Sequence, residues 1–246
     1  MYKEERYSEI LELARENGYV TVEFLVKQVH ASPASIRRDL TALEKDGYIR
    51  RSYGGASYIA DGENVSVPYM MRKYKHKKEK NIIAKKAASL IHDGDIVFID
   101  NSTTASYLAP YLTEKKNITV MSNNMTLIMT LAQHSVEVIC TGGHVRGQNS
   151  LFGTLTERAF ASMRADIGFF SSTALSKKGE ILDSSQARHY IHLCEHCDKR
   201  VYLCNEEKIG AKARYCIMTL DDVDVVVSDR DIRGELETEF DNVEFI

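Results

Sequence analysis

Between Ser32 and Gly55 the chain reads SPASIRRDLTALEKDGYIRRSYGG, and the arginines of this stretch are spaced to meet a polyanion. Ile36, Leu40 and Leu43 fall at helical spacing and form one apolar stripe. Ser35, Arg37, Arg38 and Thr41 are left on the remaining faces, free for a partner. Ser32 is suited to the N-cap, and Pro33 to the first turn, where its missing N–H costs nothing. Gly47 ends the helix, and Tyr48–Tyr53 reads as a short basic strand turning at Gly54-Gly55. A capped helix with paired arginines, then a basic strand and a glycine turn, fits a winged helix-turn-helix whose second helix enters a DNA major groove. On this reading Ser32, Ser35, Arg37, Arg38 and Thr41 face double-stranded DNA from the helix, and Arg50, Arg51, Tyr53 and Gly54 face it from the wing. The competing reading is a small helical dimerisation domain whose arginines merely solvate a face.

A second group of polar residues follows a series of apolar runs. Asp100, Ser102, Thr103 and Thr104 come after one run, Ser122 and Asn123 after the next, and Gly142, Gly143 and Arg146 after a third. Lys208 follows a later run that ends at Cys204. Hydroxyls and backbone amides at helix N-termini favour an anion, and an arginine adds a bidentate contact. An ionised Asp100 only accepts hydrogen bonds, so it suits a sugar hydroxyl rather than a phosphate. Each of these residues alone would be read as a helix cap. Together on one sheet edge they describe a pocket for a phosphorylated metabolite.

The elements that must carry these groups are legible. Tyr7, Ile10, Leu11 and Ala14 repeat at helical spacing over 3–16, closed by Asn17-Gly18. Tyr19-Val20 is a short strand or link, and Thr21 caps a second helix with Phe24, Leu25 and Val29 apolar. His30-Ala31-Ser32 makes the tight turn into the arginine helix. Further along, strands are expected at 95–99, 118–121, 136–140, 167–171, 200–204 and 223–228, alternating with helices that include one near 186–197. That alternation predicts an α/β fold: a winged helix-turn-helix followed by a Rossmann-like, mostly parallel sheet with helices on both faces. The expected division is a DNA-binding domain at 1–56, a linker at 57–75 and an α/β effector-sensing domain at 76–246. The basic run from Arg72 to Lys80 reads equally as a phosphate contact or as the solvated start of a helix burying Ile82, Ile83, Ala87 and Leu90.

Composition narrows the classes. At 246 residues the chain accommodates the small head and one ordinary domain. A net charge of −3 places any DNA affinity in local arginines rather than in a field from the whole chain. No apolar stretch reads as a signal peptide or a membrane span, and an odd count of five cysteines fits reduced thiols, so a cytoplasmic location is expected. His189, His192, Cys194, His196 and Cys197 invite a zinc reading. On a helix, however, His192 and His196 share one face and the cysteines lie on another, so core cysteines and surface histidines are preferred. Neither a metal nor a cofactor is expected.

The order of features resembles the DeoR family of bacterial transcriptional regulators over nearly the whole length. Ser32, Ser35-Ile36-Arg37-Arg38-Asp39-Leu40, Leu43, Gly47, Arg51 and Gly54-Gly55-Ala56 carry the resemblance in the head. Lys80, Ile83-Ala84, Gly94-Asp95, Asp100, Thr103-Thr104, Asn123, Gly142-Gly143, Arg146, Gly153, Asp166 and Lys208 carry it beyond. The sequence departs from the family pattern at Ser102, Ala105, Ser171, Ala174 and Asn205, and near Gln186 and Tyr190. The resemblance implies a DNA-binding head and a non-catalytic sensor domain similar to sugar-phosphate isomerases. It implies a repressor of carbohydrate genes, assembled as a homodimer or homotetramer, with an operator and a phosphorylated sugar as partners and no membrane. Two other readings remain open: a sugar-phosphate isomerase-like enzyme with an appended DNA-binding head, and a protein-binding adaptor.

Overall fold

The computed structural model describes residues 3–59, 69–146, 149–184 and 195–246, and it divides into two compact units at Lys75/His76. In the first unit α1 (Lys3–Asn17), α2 (Val22–Val29) and α3 (Pro33–Lys45) enclose one core with the strands β1 (Tyr19–Thr21), β2 (Ile49–Ser52) and β3 (Gly55–Tyr58). Ile10, Leu11, Ala14, Leu25, Val29, Ile36, Leu40, Leu43 and Ile49 fill that core. Val22 is also buried, whereas Phe24 is only partly covered. Thr21 caps α2 by accepting from Phe24 N at 3.1 Å. His30 adopts a left-handed conformation (φ 52°), which ends α2 and turns the chain sharply into α3.

The three strands pair antiparallel in the order β1-β3-β2, so the expected link at Tyr19-Val20 is a strand closing the wing sheet. Gly54 turns the hairpin at φ +80°. At Gly55 the strands approach so closely that a Cβ would lie 2.1 Å from the Val20 carbonyl oxygen. Of the expected linker, residues 60–68 lie outside the described residues. Ser57 and Tyr58 belong to β3, and Tyr69–Tyr74 forms a short helix, α4.

The second unit is built on seven parallel strands. β4 (Ile96–Ile99), β5 (Thr119–Ser122), β6 (Glu137–Cys140), β9 (Ala165–Phe170), β12 (Cys197–Cys204), β14 (Val225–Ser228) and β15 (Glu244–Phe245) lie in the order β15-β14-β12-β9-β4-β5-β6. One face packs on α5 (Lys77–Ala88), α6 (Ala109–Leu112) and α7 (Met125–Leu131), with Ile83, Ala84, Leu108, Leu112, Leu127 and Leu131 buried against the strands. The strands are apolar on both faces, as a parallel sheet covered twice requires.

Several expectations need correction here. Among the described residues, the second face carries one helix together with strands, where helices alone were expected. It is covered by α8 (Thr154–Ala161), through Phe160, and by a small antiparallel sheet. That sheet consists of β10 (Ala174–Leu175), β11 (Glu180–Asp183) and β13 (Tyr215–Thr219). Its residues Leu175, Ile181 and Met218 are buried. A hairpin of β7 (His144–Arg146) and β8 (Ser150–Phe152) was also not foreseen. The run after Asp100 opens with a short 3-10 turn, Ala105–Leu108, before the four-residue α6. The basic run does begin a helix, but Ile82 points outward and is 45% exposed, while Lys80 takes the buried face at 5%. Cys197 lies in β12 rather than in a helix, and residues 185–194, including His189, His192 and Cys194, are outside the described residues.

Candidate functional site

The arginine helix is held from behind and offered in front. Ser32 Oγ accepts from Ser35 N at 3.2 Å and Pro33 occupies the first turn, so Ser32 is the N-cap of α3. Ile36, Leu40 and Leu43 face the core, and they are joined on that side by Asp39, which is 3% exposed. Asp39 is compensated by Arg6 of α1 through a two-pronged ion pair, one arm of which measures 3.1 Å. Sequence reasoning assigned Asp39 no structural role. The signal available was an acid at i+3 from Ile36, inside an otherwise apolar stripe.

Arg37, Arg38 and Thr41 are exposed and Ser35 is half-buried. Arg38 Nη2 reaches Ser35 Oγ at 3.5 Å, and Thr41 Oγ1 donates to the Arg37 carbonyl oxygen at 2.9 Å. On the wing, Arg50, Arg51, Tyr53 and Gly54 are exposed, and Tyr53 stands fully in solvent. Arg51 is tied to the helix twice: its N–H donates to Glu44 Oε1 (3.0 Å) and its Nη1 to Thr41 Oγ1 (2.9 Å). Helix and wing thus present one guanidinium-lined surface, with a geometry suited to meeting base edges and phosphates together.

In the α/β domain the strand ends gather as the sheet order requires. Asp100 closes β4 and is fully buried. Its Oδ1 accepts from Ser102 N (3.0 Å) and its Oδ2 from Ser171 N (3.1 Å). Burial raises its pKa to about 6, against the lowering effect of these hydrogen bonds and of nearby Lys208. Asp100 therefore ties the loop after β4 to the loop after β9. Ser102 Oγ accepts from Ala105 N at 3.1 Å and so caps the following turn. Thr103 and Thr104 are buried, and Lys80 Nζ donates to Thr103 Oγ1 at 3.1 Å.

Ser122 and Asn123 close β5 with no exposed surface. Ser122 Oγ donates to the Ile99 carbonyl (2.7 Å), and Asn123 Nδ2 donates to the Leu151 carbonyl (3.1 Å). Among the described residues Asn123 Oδ1 has no partner. Gly142 and Gly143 both have positive φ (69° and 121°), and a Cβ on Gly143 would meet the Phe152 carbonyl oxygen at 2.5 Å. Arg146 is exposed, its guanidinium carbon 5.7 Å from the centre of the Phe152 ring. Lys208 Nζ donates to Ser171 Oγ, which itself donates to the Leu203 carbonyl at 2.5 Å. Ser171, one of the departures from the family pattern, is thus what holds Lys208. Lys80 and Ser171 belong with the group, although the sequence reading did not include them among the site residues.

A winged helix with an outward arginine surface, joined to an α/β domain with polar strand ends, defines a two-part DNA-binding regulator with a ligand-sensing domain. The chain belongs to the DeoR family: the DeoR-like helix-turn-helix domain matches residues 6–61 and the DeoR C terminal sensor domain residues 75–230. The glycerol-3-phosphate regulon repressor of Escherichia coli (strain K12) is 30% identical over 233 residues, covering 93% of this chain and 92% of that one. The lactose phosphotransferase system repressor of Lactococcus lactis subsp. lactis is 32% identical over 180 residues, covering 72% and 71%. The transcriptional repressor GlcR of Bacillus subtilis (strain 168) is 28% identical over 233 residues, covering 94% and 90%. Among solved structures, the Pyrococcus horikoshii OT3 translation initiation factor eIF-2B shares the fold at TM-score 0.50 and 12% identity, covering 92% and 88% of the two chains. Ribose 5-phosphate isomerase A from Methanocaldococcus jannaschii aligns at TM-score 0.41 and 14% identity over 54% of each chain. Among the described residues no helix is long and apolar enough to cross a membrane.

Proposed function

We propose that this DNA-binding regulator is a repressor of carbohydrate genes, released from its operator when a phosphorylated sugar occupies the strand-end group of the α/β domain. The outward placement of Arg37 and Arg38 on a helix locked from behind carries the reading. The names of the relatives, repressors of a glycerol-3-phosphate regulon and of a lactose phosphotransferase system, support the direction of control and the ligand class. Buried Lys80 beside Thr103, Lys208 beside Ser171, and the glycine pair at 142–143 supply the cations and open backbone that a phosphate needs. Paired half-sites one helical turn apart require at least two heads, hence a homodimer or homotetramer, and a chain that meets the chromosome works in the cytoplasm.

The domain acts as a sensor rather than an isomerase. Isomerisation needs a base within reach of a carbon acid, and both Asp100 oxygens are occupied by backbone N–H groups in a fully buried position. The test has two stages. Selection from random duplexes yields the operator, and gel shifts then follow its release by a panel of sugar phosphates and glycerol phosphate. Release by one of them at micromolar to millimolar concentration is expected. Operator binding that no phosphorylated compound alters, or turnover of one of them, would replace this reading.

A further inference from the structure

Outside the carboxyl ends of β12 and β14, at the start of α5, the α/β domain holds a cavity of about 460 Å³. Its walls include the side chains of Glu79, Glu206, Glu207, Asp229 and Glu235, together with Asn205. Some of this charge is answered. Arg230 bridges Glu206 (2.5 Å) and Glu235 (2.8 Å), and His76 pairs with Glu207. Asp229 Oδ1 accepts from Glu206 N at 3.1 Å. The carboxylates still outnumber Arg230 and His76, and the half-buried Glu79 has no ion pair among the described residues.

A second observation is independent of the acids. Asn205 is only 3% exposed and lines the cavity, yet among the described residues its side-chain amide makes no hydrogen bond. An amide on a largely buried residue that borders a cavity offers its hydrogen bonds to whatever occupies that cavity. Its Oδ1 accepts and its Nδ2 donates, so it matches a molecule that carries both a donor and an acceptor.

We propose that this cavity binds an organic ammonium, with Glu79 and Asn205 Oδ1 accepting its N–H bonds. The surplus of carboxylates repels a phosphate here, and among the described residues no group of three or more His, Cys, Asp or Glu side chains is placed to hold a metal ion. The volume suits a compact solute of sugar size. Primary ammonium groups occur on amino sugars and on polyamines, and Asn205 Nδ2, able to donate to a hydroxyl, favours the former. The lining contains none of the proposed phosphate contacts, but it adjoins two of them, because Glu79 precedes Lys80 in the chain and Asn205, Glu206 and Glu207 precede Lys208.

Calorimetric titration of the full chain at low salt with glucosamine, spermidine and glucose tests this. One equivalent of glucosamine or spermidine per chain is expected to bind, with no heat from glucose. Stronger binding of glucosamine identifies an amino-sugar site, and stronger binding of spermidine a polyamine site; either supports the proposal. Glu79→Gln and Asn205→Leu are each expected to weaken binding about tenfold. Glu137→Gln, on the edge strand β6, leaves it unchanged. Thermal melts establish that the variants are folded, and the near-isosteric Glu79→Gln keeps the test valid if Asn205→Leu is not. Failure of both ammonium probes to bind, equal heat from glucose, or undiminished binding in Glu79→Gln overturns the proposal. Operator release by sugar phosphates is read separately on DNA, so the two ideas fail independently.

Discussion

Arg51 Nη1 donates to Thr41 Oγ1 at 2.9 Å, joining the wing to the exposed face of the arginine helix across ten residues of sequence. The bond fixes a long side chain along the helix before any partner arrives, which lowers the entropy lost on binding. Thr41→Val removes the acceptor without changing the shape of the helix. It is expected to weaken operator binding about fivefold, equivalent to immobilising one rotamer-rich side chain. Arg51→Ala is expected to weaken binding across sequences and to reduce the salt slope by about one. Fluorescence anisotropy at several salt concentrations measures both. A salt slope unchanged in Arg51→Ala would remove the phosphate role from the wing.

Arg37 and Arg38 lie on the face of α3 opposite Ile36, Leu40 and Leu43, so their removal leaves the core intact. Arg37→Ala and Arg38→Ala are each expected to cost about 1–3 kcal/mol of operator affinity. Urea midpoints should stay at the wild-type value. Gel shifts with unchanged affinity in both variants would defeat the role given to this helix.

The Arg6–Asp39 pair gives the opposite outcome, a loss of stability. Asp39 is 3% exposed, and deleting its carboxylate leaves the Arg6 guanidinium half-buried and short of its main counter-charge. Asp39→Ala is expected to destabilise the head by about 3 kcal/mol. The double variant Arg6→Met/Asp39→Leu should recover most of that, since an apolar pair of similar volume does not bury a lone charge. Urea unfolding of the two variants separates these outcomes.

Asp100 makes stability depend on pH. Burial raises its pKa from 3.8 to about 6, so the folded chain holds a proton that the unfolded chain has already lost between those values. Its contribution is fully present below pH 3.8 and is lost as pH rises through about 6. The difference amounts to roughly 3 kcal/mol, at 1.36 kcal/mol per unit. Relative to Asp100→Asn, the wild-type chain should therefore lose stability as pH rises from about 4 to about 6.5. Denaturant melts of both proteins across that range test it, and parallel profiles would remove the burial argument.

Gly143 combines a φ of 121° with a close approach to the Phe152 carbonyl oxygen. Gly143→Ala is expected to cost about 2 kcal/mol or more and to disturb the β7–β8 hairpin. Gly142→Ala meets open space and bears only the strain of its φ of 69°, so it should cost less. Comparing the two melts isolates the steric part.

The head was legible because its signals are local. Ser32, Pro33 and the Ile36, Leu40, Leu43 stripe act within one helix, and the turn at Gly54 follows from adjacent residues. The parallel strands were legible for the same reason, each being a short apolar run. The cover on the second sheet face was not, because the residues of β10, β11 and β13 are brought together over some 40 positions and carry no periodicity that pairs them.

The amino-acid sequence by itself determined which face of α3 is apolar, where the chain turns, and which polar residues end the strands. Caps, spacing and turn residues act within a few positions, so they survive without knowledge of the fold. Only the tertiary structure decided that Arg6 compensates Asp39, that Ser171 holds Lys208, and that five carboxylates close around Asn205. Burial and charge pairing depend on which distant segments meet, and that is set when the sheet orders its strands.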